Sequence, residues 1–332
     1  MTTKPEAGAS GGESVAVPDD MALAKPAAAA RKRRVPVHGV LLLDKAAGIS
    51  SNDALIQAKR LLNAEKAGHT GTLDPFATGL LPLCFGEATK FAQDLLEADK
   101  GYDATVLLGR TTTTGDTEGE VLADLPVAVT LDQIEAVLVQ FRGAILQTPP
   151  MYSALKRDGK PLYEYARAGI TLVREPRALV IHRLELIDYQ APLLRLRVNC
   201  SKGTYIRVLG EDIGAALGCG AHLQALRRTA VGSLELRDAV SIEALASIDA
   251  PARAAALAPV DALLDSFPVV QLDDDLARRF LQGQRLSIGK ESIVVAAGAA
   301  RLRVYRASDG CLLGTARLQE FDVLAPERLV AH

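Results

Sequence analysis

An α+β fold carrying a small β-rich unit at its C-terminal end is predicted by three observations. Helical and strand-like spacings alternate along the chain without a strict βαβ rhythm, which argues against a doubly wound sheet. A stretch rich in Ala, Asp and Pro, residues 248–266, interrupts those spacings. After Phe267, about 65 residues show one helical pattern among short strand candidates, as small β-rich domains do. The chain has 332 residues, enough for roughly two domains and a substantial core. The expected organisation is a disordered tail (1–34), a catalytic unit (35–247), a connector (248–266) and the appended unit (267–332).

The tail is rich in Ala, Gly, Ser and Pro and lacks apolar periodicity. It ends in Arg31-Lys32-Arg33-Arg34, which reads as a solubilising linker end, with phosphate contact or targeting as the other uses of such a run. Gly39–Leu43 is a short apolar run and predicts a strand. Ser50 and Ser51 are good caps for a helix carrying Ala54, Leu55, Ala58, Leu61 and Leu62 on one face. Ala88, Phe91, Ala92, Leu95 and Leu96 predict a second amphipathic helix, and residues 102–108 a strand. Thr130 with Gln133 forms a capping box ahead of Ile134, Val137, Leu138 and Phe141. Asp158-Gly159 marks a turn, and Gly169 ends a short helix over 162–168. Alternation and β-branched content predict strands over 178–188 and 193–200. Residues 204–217 are expected to be helical, with Gly218 just past the end. In the last unit the expectation is a helix over 274–281 and strands near 292–296, 301–305 and 312–318.

Composition excludes several classes. Lys and Arg number 38 against 40 Asp and Glu, a formal charge of −2, so the whole chain does not advertise nucleic-acid binding, although one face can still be basic. No run approaches the ~20 apolar residues of a membrane span. The apolar stretch 21–30 precedes its charges, the reverse of a secretory signal, so a cytoplasmic protein is expected. Cys84, Cys200, Cys219 and Cys311 are few and scattered, which fits reduced thiols. Cys219 and His222 lack the further ligands of a zinc site. Phosphate-loop and dinucleotide fingerprints are missing, so neither a metal nor a cofactor is expected.

The informative stretch is Gly68-His-Thr-Gly-Thr-Leu-Asp74-Pro-Phe-Ala-Thr-Gly-Leu-Leu-Pro82. Three glycines and two prolines make a stiff, shaped loop holding one carboxylate among apolar neighbours. By residue type alone, Asp74 is either a turn cap before Pro75 or a functional carboxylate, and His69 either structural or functional.

This string closely resembles the catalytic motif of bacterial tRNA pseudouridine synthases of the TruB type. The resemblance extends in order through His38–Lys45, Gly48–Ser51, Gly86-Glu-Ala-Thr-Lys90, Gly101-Tyr102, Pro150–Lys156, Leu162–Arg167, Cys200–Arg207, Gly218–His222 and Leu226-Arg-Arg228. It runs from about residue 38 to 235. One departure is Ala46, where the family pattern has proline after Asp-Lys; a looser turn is expected there. The resemblance implies a pseudouridine synthase catalytic domain with a PUA-like C-terminal RNA-binding domain, the latter by position, size and β-rich pattern.

The resemblance further implies isomerisation of uridine 55 in the T loop of tRNA, by base flipping, without cofactor, metal or guide RNA, and by a monomer. It matches Asp74 to the catalytic carboxylate, Arg207 to its partner arginine and Tyr102 to the tyrosine on the uracil. Tyr205 and Leu226 match further pocket residues, and His69 the histidine near the space left by the flipped nucleotide. One carboxylate suits the chemistry, as nucleophile at C1′ or as base for the 2′ proton. A cation beside it favours the charged form.

Residues 151–177 hold six Lys or Arg against three acids, interleaved with Tyr152, Tyr163 and Tyr165. Lys156, Arg157 and Lys160 there, together with Lys202, are candidate RNA contacts, since basic groups hold phosphates and aromatics stack bases. A solvated hairpin over core tyrosines is the bland reading. Arg227 and Arg228 are expected to add positive charge beside the pocket. A tRNA-binding chaperone that opens and refolds the T arm, and a guide-dependent relative acting with partner proteins, are the competing functions.

Overall fold

The computed structural model describes residues 33–331. Apart from Arg33 and Arg34, the expected tail lies outside the described residues. Strand β1 (Gly39–Lys45) leads into α1 (Ser51–Leu61), where Ser50 is the cap and accepts a hydrogen bond from the Asp53 amide. Strands β2 (Ala67–His69) and β3 (Thr78–Phe85) flank the glycine-rich loop. The helix expected around Ala88–Leu96 is two pieces: a 3₁₀ turn over Gly86–Lys90 and α2 (Ala92–Leu96). They meet at Phe91, whose backbone leaves helical space and whose ring is fully buried.

Next come β4 (Lys100–Leu108), the hairpin β5 (Arg110–Thr112) and β6 (Val121–Asp124), α3 (Leu131–Gln140) and β7 (Gly143–Gln147). The capping box at α3 forms as its spacing requires, Thr130 and Gln133 each accepting the other's backbone N–H. A second hairpin, β8 (Lys156–Arg157) and β9 (Lys160–Pro161), turns at Asp158-Gly159, both at positive φ. It is followed by α4 (Leu162–Arg167), β10 (Arg177–Gln190), β11 (Leu193–Cys200), α5 (Ile206–Ala216), β12 (Ala221–Val231), β13 (Leu234–Glu235) and α6 (Ile242–Ser247).

The main sheet runs β1-β3-β12-β4-β11-β10-β7, with β2 beside β3 and β13 beside β12. Its pairs are antiparallel except β3 with β12, which meet in parallel over Thr78–Arg227 and Gly79–Arg228. That short contact joins the glycine-rich loop to β12 and thereby to β4. Strands β1 and β3 are apolar on both faces: Leu41, Leu43, Leu81 and Leu83 enter one core, Val40, Leu80 and Cys84 another. Each such fully buried leucine is worth about 1.5–3 kcal/mol over an exposed one. Their continuous apolar runs hide the period-two alternation.

Gly79 allows the parallel contact. It has φ +102°, and a Cβ there would lie 2.3 Å from the Arg228 carbonyl oxygen. Gly79→Ala is expected to destabilise the fold by about 2–5 kcal/mol, read as a lowered urea midpoint with unchanged slope.

The stretch 248–266 is folded rather than extended. It holds α7 (Ala250–Ala255) and a 3₁₀ turn over Val260–Leu263. Ala258 exchanges both backbone hydrogen bonds with Val40 at 2.8 Å, so it also edges the main sheet. The C-terminal unit contains β14 (Val269–Leu272), α8 (Asp274–Leu281), β15 (Leu286–Ser287), α9 (Ile288–Glu291), β16 (Arg301–Arg306), β17 (Leu312–Gln319) and β18 (Val323–Leu329). Its sheet order is β14-β16-β17-β18-β15. The strand expected over 292–296 is a loop. Ser292 takes a left-handed φ of +53°, and Val294 points to solvent while Ile293 is buried.

Charged and polar contacts tie this unit to the rest. Asp94 of α2 pairs with Arg301 at 2.7 Å and Arg328 at 3.2 Å. Lys90 donates to the Leu329 carbonyl, Glu87 accepts from the Ala331 amide, and Tyr305 donates to Asp261. Among the described residues no helix is long and apolar enough to cross a membrane.

Candidate active site

Asp74 lies on the loop between β2 and β3, and that loop is braced by three side chains. Ser51, the first residue of α1, spends its hydroxyl on Leu73, accepting from the amide at 2.8 Å and donating to the carbonyl at 3.0 Å. Lys45, at the end of β1, is fully buried and donates to the carbonyls of Ala46 and Ile49 at 2.8 Å and Pro75 at 3.3 Å. Burial pulls the Lys45 amine down to about 8, with Asp74 as the main opposing influence. The third brace is Arg228, which donates to the Leu80 carbonyl at 2.7 Å and the Gly71 carbonyl at 3.3 Å. Arg228 does place positive charge beside Tyr102 and the Asp74 loop, but as a buried group, 2% exposed, and not on a basic surface. Arg227, the next side chain back, faces solvent and pairs with Asp44 at 2.6 Å.

Arg207, from the first turn of α5, is 4% exposed and approaches Asp74 at 3.0 Å (Nε to Oδ2). Its Nε also lies 3.5 Å from Asp116, and its Nη atoms donate to the carbonyls of Thr114 (2.9 Å) and Tyr152 (2.7 Å). The guanidinium thus bridges two carboxylates and ties together three chain segments. Asp116, itself 2% exposed, accepts from Thr114 Oγ1 and the Glu118 amide. The Asp74 side chain keeps 37% of its surface exposed and remains open to a substrate. Burial pushes its carboxyl above the ordinary range, and nearby Asp116 adds to that; Arg207 and Lys45 oppose it.

Tyr205 precedes α5 and is fixed by Gln147 of β7, which accepts from the Tyr205 amide at 2.8 Å and donates to its carbonyl at 3.1 Å. Tyr102 of β4 stands directly across from Arg228 of β12, and Leu226 across from Ala104. All four therefore share one face of the sheet. Tyr102 and Leu226 are buried, at 9% and 7% exposure. His69, in β2, is half-buried; its Nδ1 meets no hydrogen-bond partner among the described residues. Burial, and then Arg228, hold its pKa below the usual histidine value, so the ring is neutral at pH 7.

The candidate RNA contacts lie elsewhere. Lys156 and Arg157 are exposed on the β8–β9 hairpin. Lys160 covers the Tyr165 ring at 4.9 Å, and Arg167 covers Tyr163 at 5.3 Å. These tyrosines are half-buried under cations and are not part of the core. Lys202 is exposed and paired with Glu97. Beside the hairpin, a groove of about 520 Å³ is lined by Thr114, Met151, Tyr152, Arg174 and Glu211, and burial pushes Glu211 up to about 6. Cys219 is buried and His222 is bonded to the Arg110 carbonyl; among the described residues no His, Cys, Asp and Glu cluster could hold a metal ion.

Three family models match consecutive parts of the chain. They are the TruB family pseudouridylate synthase N-terminal domain (residues 59–206), the tRNA pseudouridylate synthase B C-terminal domain (207–265) and the pseudouridine synthase II TruB C-terminal domain (268–330). The tRNA pseudouridine synthase B of Burkholderia lata is 61% identical over 306 residues, 91% of this chain and 94% of that one. The chain belongs to the TruB family of pseudouridine synthases. The same-named protein of Ralstonia nicotianae is 60% identical over 313 residues, covering 92% and 98%. Among solved structures, a chain of a Cbf5–Nop10–Gar1 complex superposes with a TM-score of 0.70 at 27% identity, covering 88% of this chain and 84% of that one. A chain of an H/ACA ribonucleoprotein bound to a substrate RNA containing 2′-deoxyuridine gives 0.67 at 25%, covering 89% and 86%. The fold is that of TruB-type synthases: a mixed sheet with flanking helices and a C-terminal β-rich unit.

Several family-site neighbours were not singled out by residue type. Asp116 sits in a Thr- and Gly-rich turn, where an aspartate signals a turn and nothing more. Ser51 reads as a second helix cap, yet Ser50 fills that role and frees Ser51 for Leu73. Gln147 carries no local signal at all; only the register of β7 places it under Tyr205.

Proposed function

We propose that this protein converts uridine to pseudouridine in tRNA, at position 55 of the T loop, using the Asp74 carboxylate. The observation that carries the reading is a single ion-paired, substrate-accessible aspartate on a loop braced from three sides, in a chain 61% identical to tRNA pseudouridine synthase B.

The reaction breaks the N1–C1′ bond, turns the uracil and joins C5 to C1′. C5 loses a proton and N1 gains one, so no oxidant or reductant is required. Asp74 serves either by attacking C1′, to be displaced later by C5, or by taking the 2′ proton and returning it. Both routes need the carboxylate ionised, which Arg207 and Lys45 favour against burial. The uridine must leave its stack to reach Asp74. In this reading Tyr102, Tyr205 and Leu226 receive the base, and His69 stands by the vacated position. The β8–β9 hairpin, with Lys156, Arg157 and Lys160, holds phosphates, Lys202 contributes once released from Glu97, and the C-terminal unit (267–332) grips the acceptor side. The protein acts as a monomer, without guide RNA.

The test is tritium release from a T-arm stem-loop labelled at uracil C5, with chelator present and no guide RNA. Release by the parent protein but not by Asp74→Ala is expected. Tight tRNA binding with no release by the parent would sink the isomerase reading and favour an RNA chaperone.

A further inference from the structure

Arg228 is a buried guanidinium without an acidic partner: among the described residues no carboxylate ion-pairs with it. A charge so placed is costly unless its hydrogen bonds are well used. Two of them reach either side of Asp74 along the chain, to Gly71 before it and Leu80 after it; a longer one, 3.5 Å, reaches Thr72. Its direct cross-strand neighbour is Tyr102, and both side chains are buried on the same sheet face. The guanidinium and the phenol thus stand side by side where water cannot screen them.

We propose that Arg228 is a positioning residue for Tyr102, holding the phenol in place and stabilising negative charge on its oxygen. The inference rests on the reading that Tyr102 lies against the substrate uracil. Other groups leave this role to Arg228. The Lys100 amine, two residues back on β4, is turned to the carbonyls of Leu96 and Ala98. His69, at the end of β2, is neutral at pH 7. Cys200 on β11 and Asp74 both disfavour a phenolate. Burial pushes the Tyr102 hydroxyl above the ordinary tyrosine range, and Arg228 is the foremost influence against that rise. One side chain therefore couples the loop of Asp74 to the phenol across the pocket.

The experiment is an ultraviolet difference titration of the parent against Tyr102→Phe, which isolates the Tyr102 phenol, repeated with Arg228→Met and Arg228→Lys. The expected result is a Tyr102 midpoint higher by about one unit or more in Arg228→Met, and little moved in Arg228→Lys. Turnover in Arg228→Met should fall about 10²-fold, with tRNA affinity kept. An unchanged midpoint or parental turnover in Arg228→Met overturns the proposal. Should that variant fail to fold, Arg228→Lys decides: a parental midpoint with most turnover retained supports the role, and a parental midpoint with turnover lost shows that Arg228 only braces the loop. The titration needs no substrate, so it separates this inference from the isomerase reading, which fails only if the parent releases no tritium.

Discussion

Asp74→Asn is expected to abolish turnover, by about 10⁴-fold or more, while leaving tRNA affinity within about threefold. Asparagine has the shape of aspartate and can still accept from Arg207 Nε, 3.0 Å away. The loop should keep its place, since Ser51, Lys45 and Arg228 hold backbone atoms of Leu73, Pro75, Gly71 and Leu80 and not the Asp74 side chain. What is removed is the anion, which both candidate routes require. Single-turnover tritium release and filter binding, measured on the same preparation, check the two halves. Retention of even a tenth of parental turnover would exclude Asp74 as nucleophile and as base.

The second large effect concerns Arg207. Arg207→Met strips the cation from two carboxylates at once, and they respond differently. Asp116 is buried at 2% exposure and loses the cation that compensates it, so the fold is expected to lose about 3–5 kcal/mol. Asp74 stays partly exposed and shows the change in its titration. Its pKa is already raised by burial, and Arg207 is the largest influence pulling it down. In the proposed function ionised Asp74 is the working form, so activity is expected to fall as pH drops through that pKa. Without Arg207 the pKa climbs further, and the acid limb of the kcat/KM profile moves to higher pH. Urea unfolding and a pH–rate profile check the pair of outcomes. An acid limb that stayed in place would mean that Arg207 does not act on the ionisation of Asp74.

These residues show where a sequence speaks and where it falls silent. Local signals were readable: the Thr130–Gln133 box, the Asp158-Gly159 turn, Gly169 and Gly218 at helix ends, and the alternation in β10 and β11 all act within a few residues. Strands β3 and β12 went unread. The first is apolar on both faces and carries Pro82; the second buries His222 and Arg228 among its apolar positions, which breaks the alternation. In β18, Pro326 masks a strand. Asp74 stood out because its loop chemistry is dense and shared with a known family. Arg228 did not, because a buried arginine and an exposed one look alike until the β3–β12 register is known. Non-local pairing decides such residues, and no window of sequence contains it.

The bridged arginine also has a consequence for how a substrate can enter. Around Asp74, Asp116 and Glu118 the cations Arg207, Lys45 and Arg228 are all buried, so the floor of the site carries no net positive charge. Cationic side chains stand farther out, on the β8–β9 hairpin. In the proposed function the phosphates of an RNA strand are held at the hairpin and find no net attraction at the floor, whereas an uncharged uracil is turned away by neither. Under that proposal the charge layout sorts the parts of a nucleotide, keeping the backbone at the threshold and admitting the base head first.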